Sequence, residues 1–156
     1  MYTVLYTAQV LLLLVVAPVV ATAADTAMAG RSLLEAASFW FVFFGGVRLL
    51  IAGLSQVVRP GFTVEEVLGQ RRGNPGANYV VQELGFANIG LGLLGIIGPW
   101  LGWAPAGALA LGAFLLLAGV RHVAKTGKAA KEWVATVTDL AFSVVLLVIL
   151  ALSLVR

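Results

Sequence analysis

Five apolar stretches, each close to the length of a bilayer-crossing helix, occupy most of this chain and leave it few folds to adopt. They run near Val4–Ala24, Ser32–Val57, Tyr79–Gly98, Pro105–Val120 and Trp133–Val155. A hydrocarbon core is crossed by about 20 helical residues rising 1.5 Å each. The chain is 61% hydrophobic and only 11% charged, whereas a soluble domain is about half apolar and about a quarter charged. A core of this size cannot hide so much apolar surface from water, so lipid has to be the solvent. The expectation is an all-α fold: an integral membrane helical bundle of about five transmembrane helices with a short interfacial helix. Residues 1–156 form one domain, because no connection is long enough to hold a second.

The first stretch has a rival reading, which would leave four helices. Ala21-Thr22-Ala23-Ala24 resembles the end of a secretory signal peptide. The residues before the apolar run carry no Lys or Arg, however, and a signal peptide begins with a basic segment. A retained helix is the favoured reading, kinked at Pro18 in a way that neighbouring helices tolerate.

Basic residues set the expected orientation. The connection 59–78 holds Arg59, Arg71 and Arg72, and the connection 121–132 holds Arg121, Lys125, Lys128 and Lys131. With five spans these seven lie on one side, against Arg31 and Arg156 on the other. Short loops rich in Lys and Arg stay in the cytoplasm. The chain is therefore expected in a bacterial cytoplasmic membrane, with its N-terminus and both basic loops inside. The net charge of +3 is a topological signal here, and no nucleic-acid partner is expected.

Pro99-Trp100-Leu101-Gly102-Trp103-Ala104-Pro105 reads as a tight helical hairpin with two tryptophans at headgroup depth. Tyr79 and Trp133 anchor the opposite ends of their helices in the same way. In the longest loop, Thr63 and Glu66 have capping-box spacing, and Phe62 and Val67 can staple the same start. This is the short interfacial helix, expected along the inner membrane surface. Gly73-Asn74-Pro75-Gly76 then turns the chain back into the bilayer.

Gly90-Leu91-Gly92-Leu93-Leu94-Gly95 matches the dinucleotide-binding pattern letter for letter. That pattern has meaning only between a strand and a helix N-terminus, and here it lies inside an apolar span. Gly85, Asn88, Gly92 and Gly95 instead recur on one helical face, a signal for close helix packing. Ala108 and Gly112 in the next span are the expected matching small face. With no cysteine, disulfides, thiol catalysis and Cys-based metal sites are excluded.

The ionisable residues inside spans carry the functional interest: Arg48, Glu83 and Asp139. A charge at the bilayer centre costs about 2.5–3.5 kcal/mol on insertion scales. Helical rise puts Arg48 roughly 15 Å from the inner end of its helix, and Glu83 and Asp139 roughly 6–9 Å in from the same side. Asn88 comes slightly deeper, and Thr136, Asp139 and Ser143 form a polar stripe. These groups are expected to meet in the inner half of the bundle. Arg48 pairing with one carboxylate would hold helices in register without chemistry. The second carboxylate would then need a proton, His122, or a ligand. His122 is either an interfacial polar residue or a titrating partner of Glu83 or Asp139. A metal site would require both carboxylates and His122 to converge. A Ser/His/Asp hydrolase lacks its nucleophile-elbow motif.

Glu83-Leu84-Gly85-Phe86-Ala87-Asn88, preceded by Gly73-Asn74-Pro75 and followed by the glycine-rich Gly90 to Gly98, resembles a signature of small bacterial multi-span membrane proteins of unknown function. His122 and the Thr138-Asp139 pair fit the same pattern, which covers about Val58 to Leu152. Gly76-Ala77-Asn78 stands where the family often has aromatic and amide residues, and Gln70-Arg71-Arg72 where it has a tryptophan. Ser55-Gln56 stands where many members carry a histidine, so a ligand site built on that histidine is not expected here. The architecture is also similar to DoxX-like four-helix membrane proteins, some of them subunits of quinone-linked oxidoreductases; an analogy of fold does not establish function. The reading is of a non-enzymatic protein, an accessory subunit or a small ligand- or proton-handling protein, centred on Arg48, Glu83, Asn88, Asp139 and His122. Its partners would be the lipid bilayer and a homo-oligomer or larger membrane complex, with no cofactor. The alternatives are a transporter or channel for a proton or small ion, and a non-catalytic subunit of a quinone-linked enzyme.

Overall fold

The computed structural model describes residues 2–67, 75–128 and 130–155, with the side chains of residues 2, 3, 66 and 67 outside the description. The chain is helical almost throughout, and five helices are long and apolar enough to cross a membrane. Helix α1 runs through Tyr2–Leu11, a π-helical turn at Leu12–Val16, and Ala17–Ala29. The turn has a local cause. Pro18 has no N–H and its ring crowds the carbonyl four residues back. Just before Pro18 the helix widens by one turn, in which Ala17 N–H bonds Leu12 O, and Pro18 itself is fully buried. Gly30, at φ 68°, ends the helix in the left-handed conformation that favours glycine.

Helix α2, Leu33–Val58, starts with a true capping box. Ser32 Oγ accepts from Glu35 N–H at 3.3 Å, and Glu35 Oε2 accepts from Ser32 N–H at 3.1 Å. The short helix α3, Phe62–Val67, is π-helical. It begins before Thr63, so Thr63 lies inside it and does not cap its start. Helix α3 tucks against α2, α4 and α6 at the bundle end, with Thr63 and Val64 buried. The expected reversal at residues 73–76 lies partly outside the described residues. Pro75 and Gly76 already belong to α4, Pro75–Ile97. A 3₁₀ turn, Gly98–Leu101, and Gly102 at φ 76° make the hairpin into α5, Ala104–Ala124. Trp100 and Trp103 stay exposed on it. Helix α6 is Ala130–Leu154.

Packing is built from two close helix pairs, α2 with α4 and α5 with α6, with α1 laid across α2 and α6. The small face of α4 is real, but its partner is α2 and not Ala108 and Gly112. A Cβ added at Gly46 would lie 2.7 Å from Gly92 O and from the backbone of Gly95 and Ile96, and one at Gly53 would lie 2.6 Å from Gly85 O. Backbone meets backbone along the whole contact, which only glycine permits. Gly112 faces Leu146 and Leu147, and Gly119 faces Leu140, so α5 uses its small residues against larger ones on α6. The core between the pairs holds Val10, Leu14, Val42, Leu49, Leu111, Leu115, Phe142 and Leu146. Large apolar residues such as Leu12, Val19, Leu93, Leu117 and Val148 face outward, as lipid requires.

Candidate functional site

The polar residues gather towards the end of the bundle that carries Lys125, Lys128 and Lys131. Deepest is a group on α1, α2 and α6. Arg48 lies ten residues from the end of α2 and Asp139 nine from the start of α6, a similar depth of roughly 14 Å from that end. Arg48 Nη2 donates to Tyr6 Oη at 3.3 Å, and its guanidinium carbon stands 5.8 Å from the centre of the Tyr6 ring. Asp139, half-buried, is within electrostatic reach of both Arg48 and His122, and Tyr6 within reach of Arg48, Asp139 and Lys131. Among the described residues Asp139 makes no direct ion pair with either cation.

A second group lies nearer the bundle end. Glu132 is fully buried. Its Oε2 accepts from Lys125 Nζ at 2.7 Å, and its Oε1 lies 3.3 Å from His122 Nδ1. Its neighbour Lys131 is also buried, with Nζ 4.9 Å from the centre of the Phe62 ring, so that α3 is fastened to α6. Thr136 Oγ1 donates to Glu132 O at 2.7 Å. Glu132 and Asp139 are seven residues apart on α6, two helical turns, and therefore share one face with His122 between them in reach. Lys128 closes the end of α5 by donating to Lys125 O at 2.6 Å and Val123 O at 3.2 Å, and it covers the ring of Trp133.

Two of the expected centre residues lie elsewhere. Glu83 is exposed on α4, one turn from Tyr79 and within electrostatic reach of its phenol. The reason is angular. Two residues from Gly85 is about 200° around a helix, so turning the glycine face to α2 turns Glu83 outward. Asn88 is buried, but at the α2–α4 contact: its Nδ2 donates to Gln56 Oε1 at 2.7 Å, and its Oδ1 has no hydrogen-bond partner among the described residues. The structure thus brings Arg48, Asp139 and His122 to one polar region and separates Glu83 and Asn88 from it. With Glu83 outside, Asp139 is the one of the two expected carboxylates that stays within electrostatic reach of Arg48. Glu83, Asp139 and His122 do not gather into a metal-ligand cluster, and none of three or more His, Cys, Asp or Glu occurs among the described residues.

Two residues of this region escaped the sequence reading, Tyr6 and Glu132, and a third, Gln56, escaped it at the α2–α4 contact. Glu132 had a signal. The stripe Thr136, Asp139, Ser143 continues backward by one helical step to Glu132, so α6 could have been extended to include it. Tyr6 had none, since a lone phenol in an apolar span does not announce its partner.

One family model, described as a family of unknown function (DUF6790), matches residues 4–155. No curated protein and no solved structure matches the chain.

Proposed function

We propose that this chain, which belongs to that family of unknown function, is a small proton-handling membrane protein that works without a catalytic centre of its own. The observation that carries the reading is Asp139, half-buried on α6 within electrostatic reach of Arg48 and His122 yet without a direct ion pair to either among the described residues. A half-buried carboxylate near a fixed cation and an imidazole can gain or lose a proton at modest cost, since partial burial works against its charge while the neighbouring groups favour it. Glu132 and Lys125 extend the polar groups from His122 to the bundle end, where water is available. We also propose that this end faces the cytoplasm of a bacterium, on the strength of its basic residues.

The polar column occupies half of the bundle. Towards the tryptophan hairpin, α6 buries Phe142, Leu146 and Ile149 against Val42 and Leu111. Ser143, buried among them, satisfies itself by donating to Leu140 O. An apolar half favours proton exchange from one side over passage across the membrane, and so favours a sensor or accessory subunit over a transporter. A quinone-linked role, as in the DoxX-like proteins, would require a redox partner to supply the chemistry.

The test is infrared difference spectroscopy of the purified protein across a pH titration. The expected result is a carboxyl band that vanishes in Asp139→Asn and moves in His122→Gln. Identical spectra for the wild type and Asp139→Asn would exclude this function.

A further inference from the structure

The two halves of α1 are fastened differently. Beyond the π-helical turn at Leu12–Val16, the C-terminal half lies along α2 with Pro18 and Thr22 buried. There Asp25 Oδ2 accepts from Trp40 Nε1 at 2.9 Å and from Arg31 Nη1 at 3.0 Å. The N-terminal half lies instead against α6. Val4, Leu5 and Leu11 are exposed on it, Val10 is buried, and Tyr6 Oη accepts from Arg48 Nη2 at 3.3 Å. We propose that this half is a latch, which Arg48 holds through Tyr6 while Asp139 is neutral and releases when Asp139 is charged. The latch rests on the proton exchange at Asp139 argued above and gives that exchange a mechanical output.

Three observations carry the assignment. First, the two halves meet at a hinge. Ala17 N–H bonds Leu12 O across the wide turn, and Pro18 has no N–H to offer, so the upstream half can tilt without unwinding the downstream one. Second, one guanidinium serves two elements. Tyr6 on α1 and Asp139 on α6 both lie within electrostatic reach of Arg48 on α2, and the hydrogen bond goes to Tyr6. Third, the other cationic groups facing this pair are engaged. His122 on α5 stands 3.3 Å from Glu132 Oε1, and Lys131 Nζ lies 4.9 Å from the centre of the Phe62 ring. Arg48 is therefore the cation that answers a charge on Asp139. In a low dielectric a carboxylate outcompetes a neutral phenol for a guanidinium. Tyr6, left half-buried without its donor, then gains by carrying its hydroxyl to water at the membrane surface.

The experiment is a distance measurement between two nitroxide spin labels on the full chain in lipid bilayers, across a pH titration. The sequence has no cysteine, so Val4→Cys and Val80→Cys, both at exposed positions, supply the only labelling sites. Val4 stands about 15 Å along the helix from Leu14, so a tilt of about 20° at the hinge moves it by about 5 Å. The Val4–Val80 distance should lengthen by that amount as the pH rises, while Val20→Cys, exposed beyond the hinge, should keep its distance to Val80. Asp139→Asn should hold the short distance at every pH, and Tyr6→Phe the long one. A Val4–Val80 distance that stays constant while the infrared carboxyl band of Asp139 titrates overturns the latch and leaves the proton exchange standing; constancy of both overturns the two together. A shift that survives in Asp139→Asn, or that Val20–Val80 shares in full, also overturns the latch.

Discussion

At the scale of single residues, the buried charges of α6 differ in how far each can retreat to water. Glu132 is fully buried, while the Lys125 side chain remains 25% exposed on a flexible stem. Removing one partner of a buried ion pair costs about 3–5 kcal/mol when the other is stranded, and much less when it can reach solvent. Lys125→Met strands Glu132 with only His122 beside it, and should therefore destabilise by about 3 kcal/mol. Glu132→Gln leaves an ammonium that can turn outward, and should cost about 1 kcal/mol. Thermal unfolding of both variants in one detergent checks the order; a reversed order would mean that Lys125, not Glu132, is the confined partner. The same asymmetry explains why Glu132 escaped the sequence reading. A glutamate beside a lysine-rich loop reads as solvated, and only the extension of α6 by three residues turns it into the bundle.

Among the elements, the α2–α4 contact is the most sharply defined, and glycines set it. Gly46→Ala would drive a methyl to 2.7 Å from the backbone of Gly92 and Gly95, where neither side can yield without parting the helices. Overpacking of this kind costs about 1–3 kcal/mol. Gly90, in the same helix but with nothing within 4 Å of its added Cβ, has no such neighbour. Gly90→Ala should be neutral or stabilising by up to about 1 kcal/mol through helix propensity alone. Unfolding titrations should show Gly46→Ala destabilised and Gly90→Ala unchanged or stabilised. The helices themselves, the hairpin and the glycine face of α4 were all legible, because length, hydropathy and period are local properties of the chain. The partner of that face was not. Spacing shows which residues point the same way, while the choice between α2 and α5 depends on how all the helices assemble. The expected meeting of Glu83 with Arg48 failed for a related reason. Depth along a helix was counted, but the angle around it, which Gly85 already constrained, was not. The Arg48–Asp139 neighbourhood needed depth alone, since Arg48 can reach across a helix radius.

Over the whole molecule, the bundle is apolar around its flanks and polar at its two ends, and the ends differ. One carries Arg59, Arg121, Lys125 and Lys128; the other carries Arg31 beside Asp25 and Glu35 and the exposed tryptophans. With lipid around the flanks, this difference in basic charge would orient the chain, and the proposed orientation puts the lysine end in the cytoplasm. An odd number of crossings then places the two termini on opposite sides. The absence of cysteine makes the orientation directly measurable, because one introduced thiol is the only thiol present. Leu101, exposed on the hairpin, and Thr126, exposed between α5 and α6, report the two ends. In intact cells a membrane-impermeant maleimide should label Leu101→Cys and spare Thr126→Cys until the membrane is opened. The reverse pattern would place the polar column of Arg48, Asp139, His122 and Glu132 in contact with the external medium. The proton exchanged at Asp139 would then be drawn from outside the cell, and the protein would report external and not cytoplasmic acidity.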